Sequence, residues 1–430
     1  MRYSSGWTLT FYIKFGINPN GEVVGLSEVR ENTSTASETG ALVAVYQIDG
    51  ETPVHKVVDL ISSMPKIARN EQLGGLISKT MVSILDEEKS LLRVEYPPDL
   101  FDLESSGISQ LISTISTNFS EVIRIAEVEL VDVFLPKEFV TYFPGPRLGV
   151  GGIKRALASK GPLLGVVMRT TPDILPATQA RIFYDIATSG IDMGVDPQYL
   201  TNQEFSPIEA RASHFADMID RVRSETGRKI IYAVNITSRS DKILEFAEKA
   251  VENGATALEI DLSSTGFSTL EVLVKDRNLK VPIYVTGVHS ASLITSKGSI
   301  SRKVTVLIAR LLGGDVIARR SVSRGNGNVE QLKEIDDVLK RKLEGMHPAM
   351  PAACGGVFPG SLEANILTFG QDQILMADEA IFFHPWGIRA GAKALREALD
   401  AIMRGEGVLM AAQTHDELKQ AIEKWGYGPV

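Results

Sequence analysis

Four arginines are the side chains of this sequence best suited to binding an anion. They are Arg169, Arg319, Arg320 and Arg324. Three stand near the ends of two predicted strands, and the fourth lies in the following loop. A guanidinium group can hold a carboxylate or a phosphate through two parallel hydrogen bonds. The arginines could equally balance nearby carboxylates in a structural ion-pair network, and the sequence leaves both interpretations open. Because neighbouring residues of a strand point to opposite faces, at most one of Arg319 and Arg320 can face a ligand.

Three further side chains are candidates for proton transfer. Asp378 and Glu379 could form a paired acid and base, although adjacent residues of a strand diverge unless one of them lies in the loop. His289 could also move a proton. The alternative for His289 is a structural histidine whose ring nitrogen is hydrogen-bonded.

Two other reactive residue types are interpreted as structural. Cys354 is the only cysteine, and no general base can be assigned beside it, so we interpret it as a buried, inert thiol. Asp196 is interpreted as a solvated or salt-bridged residue at a strand end, because a single carboxylate holds a divalent ion poorly.

The elements that must position these residues form a repeating pattern. From about residue 162, short β-branched runs alternate with segments of helical periodicity. This alternation predicts a closed parallel (β/α)8 barrel rather than an open sheet, with function at the carboxyl ends of the strands. The eight predicted strand regions are 162–169, 191–196, 229–236, 257–264, 281–288, 315–321, 349–357 and 372–383.

The first part of the chain has a different pattern. Residues 7–17, 41–48 and 91–98 are predicted to be antiparallel strands, and 106–119 a helix. We therefore expect a smaller α+β domain over 1–135 and the barrel domain over 136–430.

Composition limits the class of protein. The chain has 430 residues, a formal net charge of −8 and no long basic run, so nucleic acid is not an expected partner. No apolar stretch is long enough to predict a membrane span and no signal peptide is evident. A cytoplasmic protein is expected, since one cysteine cannot form an intramolecular disulfide.

Several motifs, in order, resemble the large chain of ribulose-bisphosphate carboxylase (RuBisCO). They are YPPDLFD (96–102), GPLLGVV (161–167), SGID (189–192), ETGRKIIYAVNIT (225–237), LIARLLGGD (307–315), CGGV (354–357) and HPWG (384–387). The resemblance covers residues from about 7 to 400. It implies the same fold as the repeating pattern does, a barrel preceded by an α+β domain.

The resemblance fails where that family binds its metal. RuBisCO activity rests on a lysine that is carbamylated by carbon dioxide and followed by Asp-Asp-Glu, whose oxygens help to hold magnesium. In the matching stretch, Val195 replaces the lysine, and Pro197 and Gln198 replace the two carboxylate ligands. Valine cannot be carbamylated, so neither a metal nor another cofactor is expected.

Other catalytic positions of the family also differ. The Lys-Pro-Lys after the first strand corresponds to Arg169, Thr170 and Thr171, and a glycine-rich phosphate cradle after the eighth strand corresponds to 378–380, which begins with two carboxylates. The His-Arg pair after the fifth strand corresponds to 285–286, and the mobile loop at 321–328 has no lysine.

A few positions match the family. Gly355 and Gly356 match a second phosphate cradle, after the seventh strand, and His289 matches a family histidine. Asn118 matches an asparagine that reaches across a dimer interface to the partner's site. The resemblance therefore implies a head-to-tail homodimer or a larger oligomer of dimers.

The chain is accordingly identified as a RuBisCO-like protein of the carboxylation-incompetent, form IV type. Two functions remain open. The first, which we favour, is a catalytically silent binding, regulatory or scaffold dimer. The second is a metal-independent isomerase or lyase acting on a small anionic sugar or sugar acid, phosphorylated or not. In that case Arg169, Thr171 and an arginine of 319–324 would hold the anion.

Overall fold

The computed structural model describes residues 11–17, 23–29, 40–50, 52–58, 81–117, 126–289, 299–323 and 328–428. The chain divides into two compact units. The first contains Met1–Tyr142 with Ala291–Thr305, and the second contains Phe143–Ser290 with Val306–Val430. The expected domain boundary between residues 135 and 136 stays a prediction.

The described strands and helices are numbered in chain order. The strands are β1 (Phe11–Ile17), β2 (Val23–Val29), β3 (Leu42–Asp49), β4 (Met81–Asp86), β5 (Leu91–Tyr96), β6 (Glu127–Phe134), β7 (Leu163–Val167), β8 (Met193–Val195), β9 (Ile231–Asn235), β10 (Ala257–Asp261), β11 (Ile283–Thr286), β12 (Ser299–Ile300), β13 (Val316–Arg320), β14 (Met350–Cys354) and β15 (Ile374–Met376). The α-helices are α1 (Leu103–Thr117), α2 (Lys137–Tyr142), α3 (Gly149–Ala156), α4 (Pro176–Thr188), α5 (Ile208–Thr226), α6 (Ile243–Glu252), α7 (Leu262–Thr265), α8 (Phe267–Lys275), α9 (Arg302–Leu311), α10 (Val329–Lys340), α11 (Leu362–Phe369), α12 (Glu379–Phe382), α13 (Ile388–Met403), α14 (Val408–Ala411) and α15 (Asp416–Trp425).

The first unit contains a five-stranded sheet in the order β12-β6-β3-β5-β4, and β1 pairs with β2 in a separate antiparallel ladder. The central strands β3 and β5 are almost entirely buried. The Tyr46 hydroxyl joins them, lying 2.9 Å from the Tyr96 hydroxyl and donating to the Ile115 carbonyl of α1. Buried tyrosines satisfy their hydroxyl groups in this way.

The second unit contains the predicted barrel. The strands β7, β8, β9, β10, β11, β13, β14 and β15 form a closed sheet, and each pairs in parallel with its neighbours. All eight strands lie within the predicted regions. Helices between consecutive barrel strands cover the outside, so the (β/α)8 prediction is confirmed.

The strand register separates two faces of the barrel. Residues paired between adjacent strands share a face, and successive residues alternate. Gly194 and Arg319 belong to the set that contacts helices, because the position of Gly194 lies against Phe183 of α4 and Arg319 binds Asp336 of α10. The other set, which includes Val195 and Glu259, therefore faces the barrel interior.

The eighth strand is shorter than the sequence suggests. It ends at Met376 rather than continuing through residue 383. The Phe382 amide donates to the Asp378 carbonyl at 2.9 Å, which closes the first turn of α12. Asp378 therefore lies in the strand-to-helix connection, and Glu379 is the first residue of α12.

No helix in the described ranges is both long and apolar enough to cross a membrane.

Candidate functional site

Asp196, directly after β8, is the centre of a buried network on the outer face. Its side chain is fully buried, as is Arg211 of α5, whose Nε donates to Asp196 Oδ2 at 3.0 Å. The Tyr232 hydroxyl donates to Oδ1 at 2.5 Å, and the Asn235 amide donates to Oδ2 at 2.9 Å. Both carboxylate oxygens are thus occupied, so Asp196 is salt-bridged and not solvated.

Aromatic packing explains why the Asp196 side chain points to the outer face of the barrel. The Tyr232 ring stacks on Phe215 at 3.7 Å between centroids and meets Phe183 edge-on at 5.0 Å. A side chain at Gly194 would collide with Phe183 and Tyr232. The glycine therefore lets α4 and α5 pack closely on β8 and β9, and this fixes Asp196 beside Arg211.

These residues do not fit a magnesium ion at the end of β8. Val195 faces the interior but provides no ligand atom, and Asp196 faces the helices and binds Arg211. A magnesium site needs several oxygen ligands in octahedral array. Within the described ranges, no group of three or more histidine, cysteine, aspartate or glutamate side chains could hold a metal ion.

Glu259 on β10 is a buried carboxyl on the inner face, and sequence analysis missed it. It is fully buried, its Oε1 accepts from the Thr286 hydroxyl at 3.2 Å, and its Oε2 has no hydrogen-bond partner among the described residues. Burial raises the pKa of the Glu259 carboxyl well above its ordinary value, and the nearby charge of Asp196 raises it further. The available signal was an acidic residue within the apolar run ALEID.

Tyr284 and Cys354 lie on the same inner face. The Tyr284 hydroxyl lies 3.6 Å from the Cys354 sulfur. Burial raises the pKa of the Cys354 thiol to about 11, so the thiol is protonated at neutral pH. A protonated thiol is a poor nucleophile, which agrees with the interpretation of Cys354 as inert.

Arg169 and Asp378 form an ion pair after β7 and β15. Arg169 Nη2 donates to Asp378 Oδ2 at 2.9 Å, and the side chains are 43% and 38% exposed. The guanidinium also lies over the Phe383 ring, 4.8 Å from its centroid. Asp378 is therefore paired with an arginine, while Glu379 is exposed at the start of α12.

Thr171 lies in the exposed loop after β7. Its hydroxyl donates to Asp173 Oδ1 at 2.6 Å, and this hydrogen bond lowers the pKa of the Asp173 carboxyl. The neighbouring Thr170 carbonyl accepts from the Tyr199 hydroxyl at 2.7 Å. This contact connects the loops that follow β7 and β8.

The two arginines of β13 occupy opposite faces. Arg319 is fully buried, donates to Asp336 at 2.8 Å and to Gln373 at 2.8 Å, and stacks over Phe369. Its expected role in binding substrate is not supported by this geometry, because its guanidinium is enclosed between the barrel and α10. Arg320 is exposed and pairs in register with Cys354 on the inner face.

His289 lies in the turn after β11. Its Nε2 is 3.1 Å from the carbonyl oxygen of Ala318 on β13, so this nitrogen is the protonated donor. The contact is that of a structural histidine, and the catalytic role of His289 stays a prediction.

Gly355 and Gly356 are exposed after β14 and adopt φ values of 82° and 70°, which favour glycine. The Ser321 hydroxyl donates to the Gly355 carbonyl. The turn thus places the backbone of two glycines at the mouth of the barrel. Its role as a phosphate cradle stays a prediction. Arg324 and Asn118 lie outside the described residues.

Comparison with known proteins agrees with this architecture. The model of the ribulose bisphosphate carboxylase large chain, catalytic domain, matches residues 149–425. A RuBisCO-like protein of Archaeoglobus fulgidus is 34% identical over 327 residues, 74% of this chain and 73% of the relative. The ribulose bisphosphate carboxylase of Pyrococcus abyssi is 31% identical over 365 residues, 83% of this chain and 85% of the relative.

A solved structure gives the same result. The octameric RuBisCO of Pyrococcus horikoshii superimposes with a TM-score of 0.82 at 27% identity, covering 91% of this chain and 95% of that one. The family match extends over more than half of the sequence and includes every barrel strand. This chain belongs to the RuBisCO large-chain family.

Proposed function

We propose that this chain is a RuBisCO-like protein that does not carboxylate ribulose bisphosphate and acts by binding, in a regulatory or scaffold role. The observation that carries the proposal is the pair of side chains at the end of β8. The inner-face position that matches the family's lysine is Val195, and the adjacent carboxylate of Asp196 faces outward to Arg211. Without a fixed dication, the charge that develops on an enediolate is less stabilised.

The polar groups around the mouth support a catalytically silent site. Arg169 is paired with Asp378, and His289 is held by a backbone carbonyl. Both contacts hold the side chain in place within the described part of the chain. This arrangement is the one expected of a mouth stabilised by structural contacts.

The test is incorporation of labelled carbon dioxide with ribulose bisphosphate and magnesium. We expect no turnover above background, since several kcal/mol of lost charge stabilisation lowers the rate by about a thousandfold or more. The Val195→Lys variant should also be inactive, because Pro197 and Gln198 provide no anionic oxygen. Turnover by the unmodified protein, or magnesium binding tighter than about millimolar by calorimetry, would contradict the proposal.

The oligomeric part of the proposal is a head-to-tail homodimer or a larger assembly of dimers. It is supported by the similarity to the octameric P. horikoshii enzyme and by the match of Asn118 to an interface asparagine. Light scattering after size exclusion should give a dimer or a multiple of it. A monomer at micromolar concentration would contradict this part alone.

Glu259 supports a second candidate, the metal-independent isomerase or lyase. A buried carboxyl of raised pKa at a barrel mouth is a frequent acid–base group. In this function a small anionic substrate would contact Arg169, Thr171, Arg320 or the glycines of the turn at 355–356. Proton exchange into a bound sugar acid, lost in Glu259→Gln, would favour this candidate.

A further inference from the structure

The inner face of the barrel has a polar layer near the carboxyl ends of three adjacent strands. In the register, Glu259 pairs with Asn235 on β9 and Tyr284 on β11. Val195 pairs instead with Ala233, which pairs with Ala257. Glu259 therefore lies one inward-facing position nearer to the mouth than the level of Val195. Function in such barrels is concentrated at this end.

The hydrogen bonds of this layer leave one atom without a partner. Asn235 donates to the Gln198 carbonyl at 3.0 Å and accepts from the Thr237 amide at 2.9 Å. Tyr284 contacts Cys354. Glu259 Oε1 accepts from Thr286, whereas Oε2 is buried and, within the described part of the chain, has no partner. Buried polar atoms rarely lack a hydrogen bond unless a ligand or a water completes the site.

The ionisable groups around Glu259 determine whether its Oε2 can donate a hydrogen bond. Its ionisable neighbours are Asp196, Arg211, Tyr232, Asp261, Tyr284 and Cys354. Arg211 is already paired with Asp196, and Asp261 lies two residues further along the same strand. Burial and these carboxylates raise the pKa of Glu259, which favours the protonated form of its carboxyl. A carboxylic acid donates its strongest hydrogen bonds to anionic oxygens.

We propose that the inner face of the mouth binds a small carboxylate, with the Glu259 carboxyl donating a hydrogen bond from Oε2 to one of the ligand's oxygens. The Thr286 hydroxyl positions the acid through Oε1. A carboxylate monoanion fits this layer better than a phosphate, which is usually bound by several backbone amides or cations. The inference rests on the binding role proposed above and names its ligand class.

The experiment is calorimetric titration of the full chain with acetate. We expect binding tighter than about 10 mM, which Glu259→Leu weakens by about tenfold or more because the donor is lost. Glu259→Gln keeps an N–H donor and should bind within a few-fold of the unmodified protein. Glu406→Gln removes an exposed carboxylate paired with Arg404 and is the matched control without effect.

The pH dependence separates a hydrogen-bonding role from a merely structural one. Acetate affinity of the unmodified protein should fall as pH rises through the pKa of Glu259, whereas that of Glu259→Gln should stay constant over the same range. Glu259→Gln also keeps the test decisive if the leucine variant does not fold.

Three results would overturn the inference: no acetate binding, equal acetate binding by folded Glu259→Leu, or inorganic phosphate competing at the same affinity. Carboxylase activity alongside Glu259-dependent acetate binding would refute the proposed function and leave this inference standing.

Discussion

Asp196 and Glu259 are two fully buried carboxyl groups of the same barrel with opposite surroundings. Asp196 faces the helices and receives hydrogen bonds from Arg211, Tyr232 and the Asn235 amide. Glu259 faces the interior and, from the residues that the structure describes, receives a single hydrogen bond, from Thr286. Both side chains are excluded from water, so burial alone does not distinguish them.

The difference lies in how each charge is compensated. Asp196 lies against the Arg211 guanidinium and two further hydrogen-bond donors, and this arrangement fixes helix α5 on the barrel. Glu259 has no cation within hydrogen-bonding distance among the described residues, and burial raises its pKa, which favours the protonated form near the mouth.

The largest expected effect is the loss of the Asp196 ion pair. Asp196→Asn leaves the fully buried Arg211 without an anionic partner, and we expect the free energy of unfolding to fall by about 3–5 kcal/mol. Urea denaturation measures the change. The control is Asp241→Asn, which removes an exposed pair with Arg239 and should have a much smaller effect on the free energy of unfolding. Equal effects for the two variants would contradict the expectation that the buried ion pair matters more for stability than the exposed one.

A smaller effect is expected for Glu259→Gln, which should gain stability relative to the unmodified protein as pH rises. The folded protein holds this proton more tightly than the unfolded chain does. The stability that the proton contributes is therefore lost as pH rises above the ordinary value of 4.5 and through the raised folded pKa. Glu259→Gln has no such proton. Its stability relative to the unmodified protein should therefore increase with pH over this window, by at most about 1.4 kcal/mol per pH unit.

Thermal denaturation of both proteins across that window measures the slope. Glu225→Gln provides a control of opposite sign, because hydrogen bonds from Tyr184 and Arg221 lower the pKa of Glu225. That variant should lose stability relative to the unmodified protein as pH rises from the lowered pKa to the ordinary value of 4.5, so it is measured below pH 4.5. A flat difference for Glu259→Gln would show that the carboxyl is ionised in the folded state.

The smallest effect is expected at the exposed ion pair. Arg169→Met should change the free energy of unfolding by about 1 kcal/mol or less, since Arg169 and Asp378 are both more than one-third exposed. A double-mutant cycle with Asp378→Asn isolates their interaction. A coupling energy above about 2 kcal/mol would mean that this exposed pair behaves like the buried pair of Asp196 and Arg211.

The sequence was sufficient to predict the barrel because its strands carry a local signal. Runs such as PLLGVV and KIIYAVNI are apolar on both faces, as strands enclosed by helices must be. For Asp196 the sequence left a solvated and a salt-bridged side chain open, and only the structure shows that it is buried and paired with Arg211. Its partner could not be named, because Arg211 lies 15 residues further along, within a helix with many charges.

The direction of each mouth side chain was not predictable. Arg319 and Arg320 differ by one position, and only the register shows that Arg319 packs against α10. Glu259 was missed because its importance depends on contacts across β9 and β11. Asp378 was assigned to a strand that ends two residues before it, since a short apolar run does not determine where a strand becomes a helix.

Strand β12 has a consequence for synthesis of the protein. It lies between β11 and β13 in the chain but pairs with β6 of the first unit, at Ser299 and Ile300. The edge of the five-stranded sheet is therefore completed only after five barrel strands have been translated. At roughly 5–20 residues per second, the ribosome needs about 8 to 33 s to proceed from β6 to β12. During that interval β6 presents an uncovered hydrogen-bonding edge, the kind of surface at which nascent chains associate and chaperones act.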